Sequence, residues 1–211
     1  MLNVNIEPKG KRKDLRAILK GLILVLLGFL AVLVPIAPAV AANHNHTELR
    51  YLVGTGLLCS LAPNACPDVS RAANGDTVSL AGKGTISTGE NDNDGAGKAT
   101  GHGTFVHKNA EGGVIAHGTW KATNLLSFTP YGSGSVQGLS PNFQGGLATI
   151  SITIRPDDAP QGTVLHGVLA IDCALGNPPA TAKEGVTVTV PNLITFNTKV
   201  SGFTLFIAND E

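Results

Sequence analysis

The stretch Gly101–Ala122, GHGTFVHKNAEGGVIAHGTWKA, decides the fold. It holds two strand-like runs around a Gly-rich turn, with the single Trp of the chain and three of its six His. Two such runs joined by a short Gly-containing connection read as an antiparallel hairpin. With Lys108 facing Gly113 and Asn109–Gly112 as the turn, Phe105 falls opposite Ala116, Gly103 opposite Gly118 and Gly101 opposite Trp120. That register gathers the apolar groups on one face, the indole over a glycine gap, with His107 on the same face near the turn. His102, Thr104, His117 and Thr119 take the other face. A slip of one residue would mix the faces, which selects this pairing.

The same period of two continues on both sides. Val78, Leu80 and Ile86 alternate with Thr77, Ser79, Thr85 and Ser87; Ala148, Ile150, Ile152 and Ile154 alternate with Thr149, Ser151, Thr153 and Arg155. Leu165–Cys173, Val186–Val190 and Phe203–Ile207 repeat the pattern. Each is a half-buried antiparallel strand, apolar in and polar out. Clusters of Gly, Pro, Asn and Asp at Glu90–Gly97, Tyr131–Gly146, Pro156–Gly162 and Gly176–Lys183 separate them, and no segment is long enough for helical crossovers. The expectation is an all-β antiparallel meander of about seven to nine strands. Mid-strand glycines favour a strongly coiled sheet, hence a closed barrel over a sandwich. Before the meander, Tyr51–Leu61 reads as a strand interrupted by Gly54 and Gly56. Pro67–Ala73 reads as a short helix, with Pro67 at its first position and Asn74-Gly75 as its stop.

The chain opens with Lys9, Lys11, Arg12, Lys13, Arg16 and Lys20, then the uncharged run Gly21–Val34 and an Ala39-Val40-Ala41 site. This is the order of a secretory signal peptide over residues 1–41. The alternative is an uncleaved N-terminal anchor helix, since Gly21–Ala42 approaches the ~20 apolar residues that span a bilayer. The organisation expected is therefore a signal or anchor segment (1–41), a flexible polar leader (42–50) and one β-domain (51–211). Six of the fifteen basic and two of the fifteen acidic residues lie in the first segment, leaving nine against thirteen, a net of −4. That balance argues against a nucleic-acid partner. Contact with membrane is expected only through the signal or anchor segment.

In an oxidising compartment the three cysteines imply one disulfide and one remaining thiol. Cys59 and Cys66 can staple the turn between them, and either can instead reach Cys173. Cys66 would otherwise sit at the N-terminus of the short helix, where a thiolate is stabilised.

Three places have the residue types of a metal site, each beside an ordinary reading. In the register above His102 is the diagonal neighbour of His117, ~7 Å away across the pair, so the two could share a transition metal with a third ligand from His166 or Asp172. The alternative is a pair of solvent-facing histidines. Glu90, Asp92 and Asp94 with Gly95 follow the spacing of a Ca²⁺ loop, although Gly101 stands where a bidentate Glu is needed; a polar hairpin turn has the same composition. Cleavage after Ala41 would expose Ala42-Asn43-His44, an amine, two amides and an imidazole in a set that takes Cu²⁺ or Ni²⁺. The signatures G-x-S-x-G, H-E-x-x-H and G-x-x-x-x-G-K are absent, and the adjacent acids Asp157-Asp158 read as solvated loop charge.

The segments GTGLLC (54–59), PNACP (63–67), HGTWKAT (117–123) and DCALGNPP (172–179) resemble a set of uncharacterised secreted bacterial proteins. That resemblance implies secretion and a β-domain and brings no activity with it. In its meander the chain also resembles allene-oxide-cyclase-like and dirigent-like barrels, at the level of fold only. The functions expected are, first, a secreted non-catalytic protein binding a small apolar ligand or a cell-surface component. An extracytoplasmic metal-binding protein comes second, and a cyclase or isomerase built in a barrel third.

Overall fold

The computed structural model describes residues 47–88 and 97–208. The signal or anchor segment, His44, and the Glu90, Asp92, Asp94 loop lie outside the described residues. Ten strands carry the fold: β1 (Thr47–Val53), β2 (Asp68–Ala72), β3 (Thr77–Thr88), β4 (Lys98–Lys108) and β5 (Val114–Ser133). They are followed by β6 (Phe143–Pro156), β7 (Leu165–Cys173), β8 (Gly185–Val190), β9 (Ile194–Ser201) and β10 (Thr204–Ala208). A short helix α1 (Leu58–Leu61) and a 3₁₀ turn at Gly134–Gln137 are the helical pieces among the described residues.

All pairings are antiparallel, in one sheet of order β1-β10-β6-β5-β4-β3-β2-β9-β8-β7 with additional pairings β1–β3 and β6–β7. From β2 to β9 each strand pairs with the next in sequence, and β9 returns to pair with β2. The sheet thereby curls into a partial ring. β1 and β10 extend it at one end, β1 against the second half of β3 and β10 against the start of β6. The all-β antiparallel reading holds, with ten strands where seven to nine were expected.

Four local expectations are corrected. The expected helix Pro67–Ala73 is instead strand β2 (Asp68–Ala72) with a flanking residue at each end, because Asp68, Ser70 and Ala72 face inward with period two. Asn74-Gly75 is the turn of the β2–β3 hairpin, closed by Ala72 N–H donating to Asp76 O at 2.8 Å, with Gly75 at φ +93°. An Asn-Gly pair between alternating runs is a hairpin signal before it is a helix stop. Strand β1 starts at Thr47, inside the expected leader, since Leu49 is buried between exposed Glu48 and Arg50. It ends at Val53 because Gly54 sits at φ +48°, where a Cβ would lie 2.1 Å from the Asp68 amide nitrogen. The backbone turns there, and Leu58–Leu61 coils into α1.

The fourth correction concerns the β4–β5 register. Phe105 pairs with Gly118, Gly103 with Trp120, and His102 with Lys121, two positions from the expected pairing. Asn109 rather than Lys108 faces Gly113, with paired bonds of 2.8 Å (Asn109 N–H to Gly113 O) and 2.7 Å (Gly113 N–H to Asn109 Oδ1). A bulge between His107 and Lys108 on the β4 side leaves Ile115 as the extra residue. Because the shift is even, every side chain keeps its expected face. Trp120 therefore lies inside, its Nε1–Cζ2 edge against the cross-strand glycines Gly103 and Gly82, where a Cβ would come within 2.6 and 2.3 Å. Around it the core is built from Leu80, Ile150, Ile152, Leu169, Ile171, Val186, Val188 and Phe196.

Candidate functional site

The inward faces of β3 to β9 do not fill the ring completely. A cavity of about 410 Å³ is lined by Val78 and Leu80 of β3, Phe105 and His107 of β4, Ala116 and Trp120 of β5, and Ile152 and Ile154 of β6. Leu165 of β7, Val188 and Val190 of β8, and Ile194 and Phe196 of β9 complete it, with Asn74, Asp76, Pro156 and Leu193 from the connecting segments. Period-two alternation is what delivers two residues from almost every strand. The volume falls within the ~300–1,000 Å³ of small-molecule sites, and the composition, mostly aliphatic and aromatic with few polar groups, is theirs also.

Those polar groups are specific. His107 Nε2 lies 3.1 Å from Asp76 Oδ2, both side chains largely shielded from solvent. The imidazole also meets the Phe196 ring edge-on, 5.1 Å between centroids at 87°. As a carboxylate Asp76 can only accept, so Nε2 is the donor of this contact. Deeper in, Trp120 is 2% exposed and its Nε1–H has no hydrogen-bond partner among the described residues.

The histidines singled out by sequence are elsewhere. His102 and His117 do not face each other: one pairs with Lys121, the other with Val106, four positions apart along β4. At ~3.3 Å per residue that is ~13 Å, beyond any shared ligand. His102 stands in an exposed row between Lys83 and Lys121, which opposes a cation there. His117 is half exposed, with Nδ1 3.0 Å from Asp158 Oδ2 and Nε2 3.7 Å from Asp157 Oδ2. Loop acids read as solvated thus flank a histidine, held there by Asp157 N–H donating to His117 O at 2.8 Å. His166 is exposed on β7, and Asp172 is buried with Lys199. Among the described residues no group of three or more His, Cys, Asp or Glu is arranged to hold a metal ion.

Cys59 and Cys66 form the disulfide, 5.2 Å between Cα atoms, and Cys173 is free and buried. Burial pushes the Cys173 thiol up to about 12, so it stays protonated at neutral pH. Cys66, with no helix following it, has no thiolate role.

A second polar cluster lies under the 174–184 connection. Asp172 Oδ2 accepts from Lys183 N–H at 2.9 Å and from Lys199 Nζ at 3.2 Å, and Lys199 also donates to Lys183 O. Glu184 accepts from Ala174 N–H at 2.8 Å and Thr204 N–H at 2.6 Å. Asp68, fully buried, accepts from Val186 N–H at 3.0 Å. Desolvation raises Asp68 to about 7, raises Glu184 and lowers Lys199. Every one of these carboxylates takes a backbone N–H, so the cluster ties down a long connection and β10; it is a brace.

Sequence reasoning missed the His107–Asp76 pair. The signal was present: His107 shares the face of Phe105 and Trp120, and an Asn74-Gly75 hairpin places Asp76 beside the end of β4. Comparison with protein-family models, with curated proteins and with solved structures finds no match to this chain, and the site's own geometry carries the functional reading.

Proposed function

We propose that this protein is an exported, non-catalytic binding protein for a small, mainly apolar molecule held in the cavity between β3 and β9. The observation that carries the reading is the cavity itself: about 410 Å³, lined by aliphatic and aromatic side chains around one His–Asp pair. A well-formed apolar pocket with few convergent polar groups is what ligand recognition needs. Export is supported by the Cys59–Cys66 disulfide and by the basic-then-apolar order of the first forty residues.

Titration with the neutral dye N-phenylnaphthylamine tests the reading. Saturable binding of one dye per chain, reversed by methyl heptyl ketone as competitor, is the expected result. Absence of saturable binding would overturn it.

The His107–Asp76 pair favours a second reading, a proton-transferring cyclase or isomerase, because an imidazole oriented by a carboxylate is the usual form of a general base. A step that takes a proton from one side of the substrate and delivers one on the other needs a second proton-carrying group. Asp76 and His107 are the titratable groups in the lining, and Asp76 is engaged by His107. Binding is therefore the better-supported function.

A further inference from the structure

We infer that the outer face of β1, β3, β4 and β5 binds an acidic polysaccharide, with Arg50, Lys83, His102 and Lys121 meeting its carboxylates. These side chains alternate with buried Tyr51, Ile86, Ala99 and Trp120, so the site lies outside the ring and is separate from the cavity.

Strand register builds the face. In one cross-strand row Lys83 pairs with His102, and His102 with Lys121. In the next row Arg50 pairs with Thr85, and Thr85 with Thr100. On β3 and β4 the rows are two residues apart, which puts both on the same side of the sheet. All of these residues except half-buried Thr85 are exposed. Neighbouring strands lie ~4.8 Å apart, so Lys83 and Lys121 stand roughly 10 Å apart. Arg50 is the diagonal neighbour of Lys83, roughly 7–8 Å away.

The charge gathered there is uncompensated. Among the described residues, Arg50, Lys83, His102 and Lys121 have no ion-pair partner. The chain after residue 41 carries a net of −4, yet its carboxylates pair elsewhere, Asp76 with His107 and Asp172 with Lys199 among them. Cations held together without counter-charge raise the local concentration of anions. They line a concavity of about 630 Å³ together with Thr85 and Thr100, whose hydroxyls lie 2.8 Å apart. Cations and hydroxyls side by side match a polymer that carries both carboxylates and hydroxyls. Two other polyanions fit less well. Bases stack on exposed aromatic rings, and the one ring in the lining, Tyr51, is fully buried with its hydroxyl donating to Thr100 O. A bilayer surface takes up apolar side chains, and the lining has no exposed large hydrophobic residue.

The test titrates the protein with polygalacturonate and, as uncharged polymer, with dextran, followed by calorimetry. Saturable binding of polygalacturonate alone is expected, weakening as salt rises. Exposed ion pairs are worth about 1.5- to 5-fold each, so Lys83→Gln with Lys121→Gln should weaken binding about 2- to 25-fold. Arg71→Gln with Lys108→Gln removes the same charge beside Thr77, roughly 20 Å along β3, and should leave binding unchanged. Thermal unfolding checks that both variants fold, and the comparison of polymers stands without them. No saturable binding, equal binding of dextran, or equal weakening in the two double variants would overturn the inference. Tighter binding of single-stranded DNA or of phosphatidylglycerol vesicles would overturn the polysaccharide as partner. Dye binding in the cavity is a separate measurement and stands or falls independently.

Discussion

Asp76 Oδ2 sits 3.1 Å from His107 Nε2, joining the β2–β3 turn to the end of β4 at the cavity. The carboxylate orients the ring, and Phe196 supports it edge-on from β9. Asp76→Ala should therefore cost about 1.5–3 kcal/mol in a denaturant titration, the worth of a hydrogen bond to a charged group. An unchanged denaturant midpoint in Asp76→Ala would contradict a stabilising role for the contact.

Trp120 and Gly103 form one packing unit. A Cβ at Gly103 would meet Ala81 O at 2.1 Å and Trp120 Nε1 at 2.6 Å. Gly103→Ala is expected to destabilise the fold by about 1–3 kcal/mol, as overpacking does, and to shift the Trp120 emission to longer wavelength as the indole is pushed off the sheet. Emission from this one Trp reports on the site alone, so an unshifted spectrum would refute the packing described.

The histidine expectations show what a single sequence could and could not yield. Strand faces were legible, because period two follows from backbone geometry and survives an even slip in register. Pair identities were not legible. They depend on which residue closes the turn, Asn109 through its own side chain, and on Ile115 as the bulged residue. His102 and His117 consequently separated, while His107, on the face where alternation had put it, became the site residue. The cavity itself is assembled from seven strands distant in sequence, and no local pattern encodes its volume. For β2, five residues were too short for periodicity to outweigh a Pro-first, Gly-last helix template, although Asn74-Gly75 pointed to a hairpin.

The brace under the 174–184 connection predicts a pH dependence. Burial raises the Asp68 carboxyl from 3.8 to about 7. The folded state then binds this proton more tightly than the unfolded state, so stability through Asp68 is full below about pH 4 and falls as pH rises to about 7. Between about pH 5 and pH 8 the loss through this group is on the order of 2–3 kcal/mol. Asp68→Asn, which keeps an acceptor for Val186 N–H, should remove most of that slope. Glu184, raised in the same direction, keeps the remainder. Urea midpoints at the two pH values check this, and an equal slope in the variant would contradict it.

The disulfide predicts a redox dependence. Cys59 and Cys66 close a short loop, and the chain-entropy estimate for such a loop is about 2–3 kcal/mol. The double variant Cys59→Ser, Cys66→Ser should lose about that much stability in unfolding titrations. Cys173 in the folded protein should resist thiol reagents until the chain unfolds, because its thiol is buried and held protonated.

The most direct test of the account is energy transfer from Trp120 to N-phenylnaphthylamine. A dye in the cavity lies against the indole, so its binding should quench Trp120 emission in proportion to occupancy, saturating at one dye per chain. Ala116→Phe, which places a ring in the same cavity, should abolish both binding and transfer while the unfolding midpoint stays near that of the wild type. Saturable transfer that persists in Ala116→Phe, or no transfer in the wild-type protein, would contradict a ligand site inside the ring.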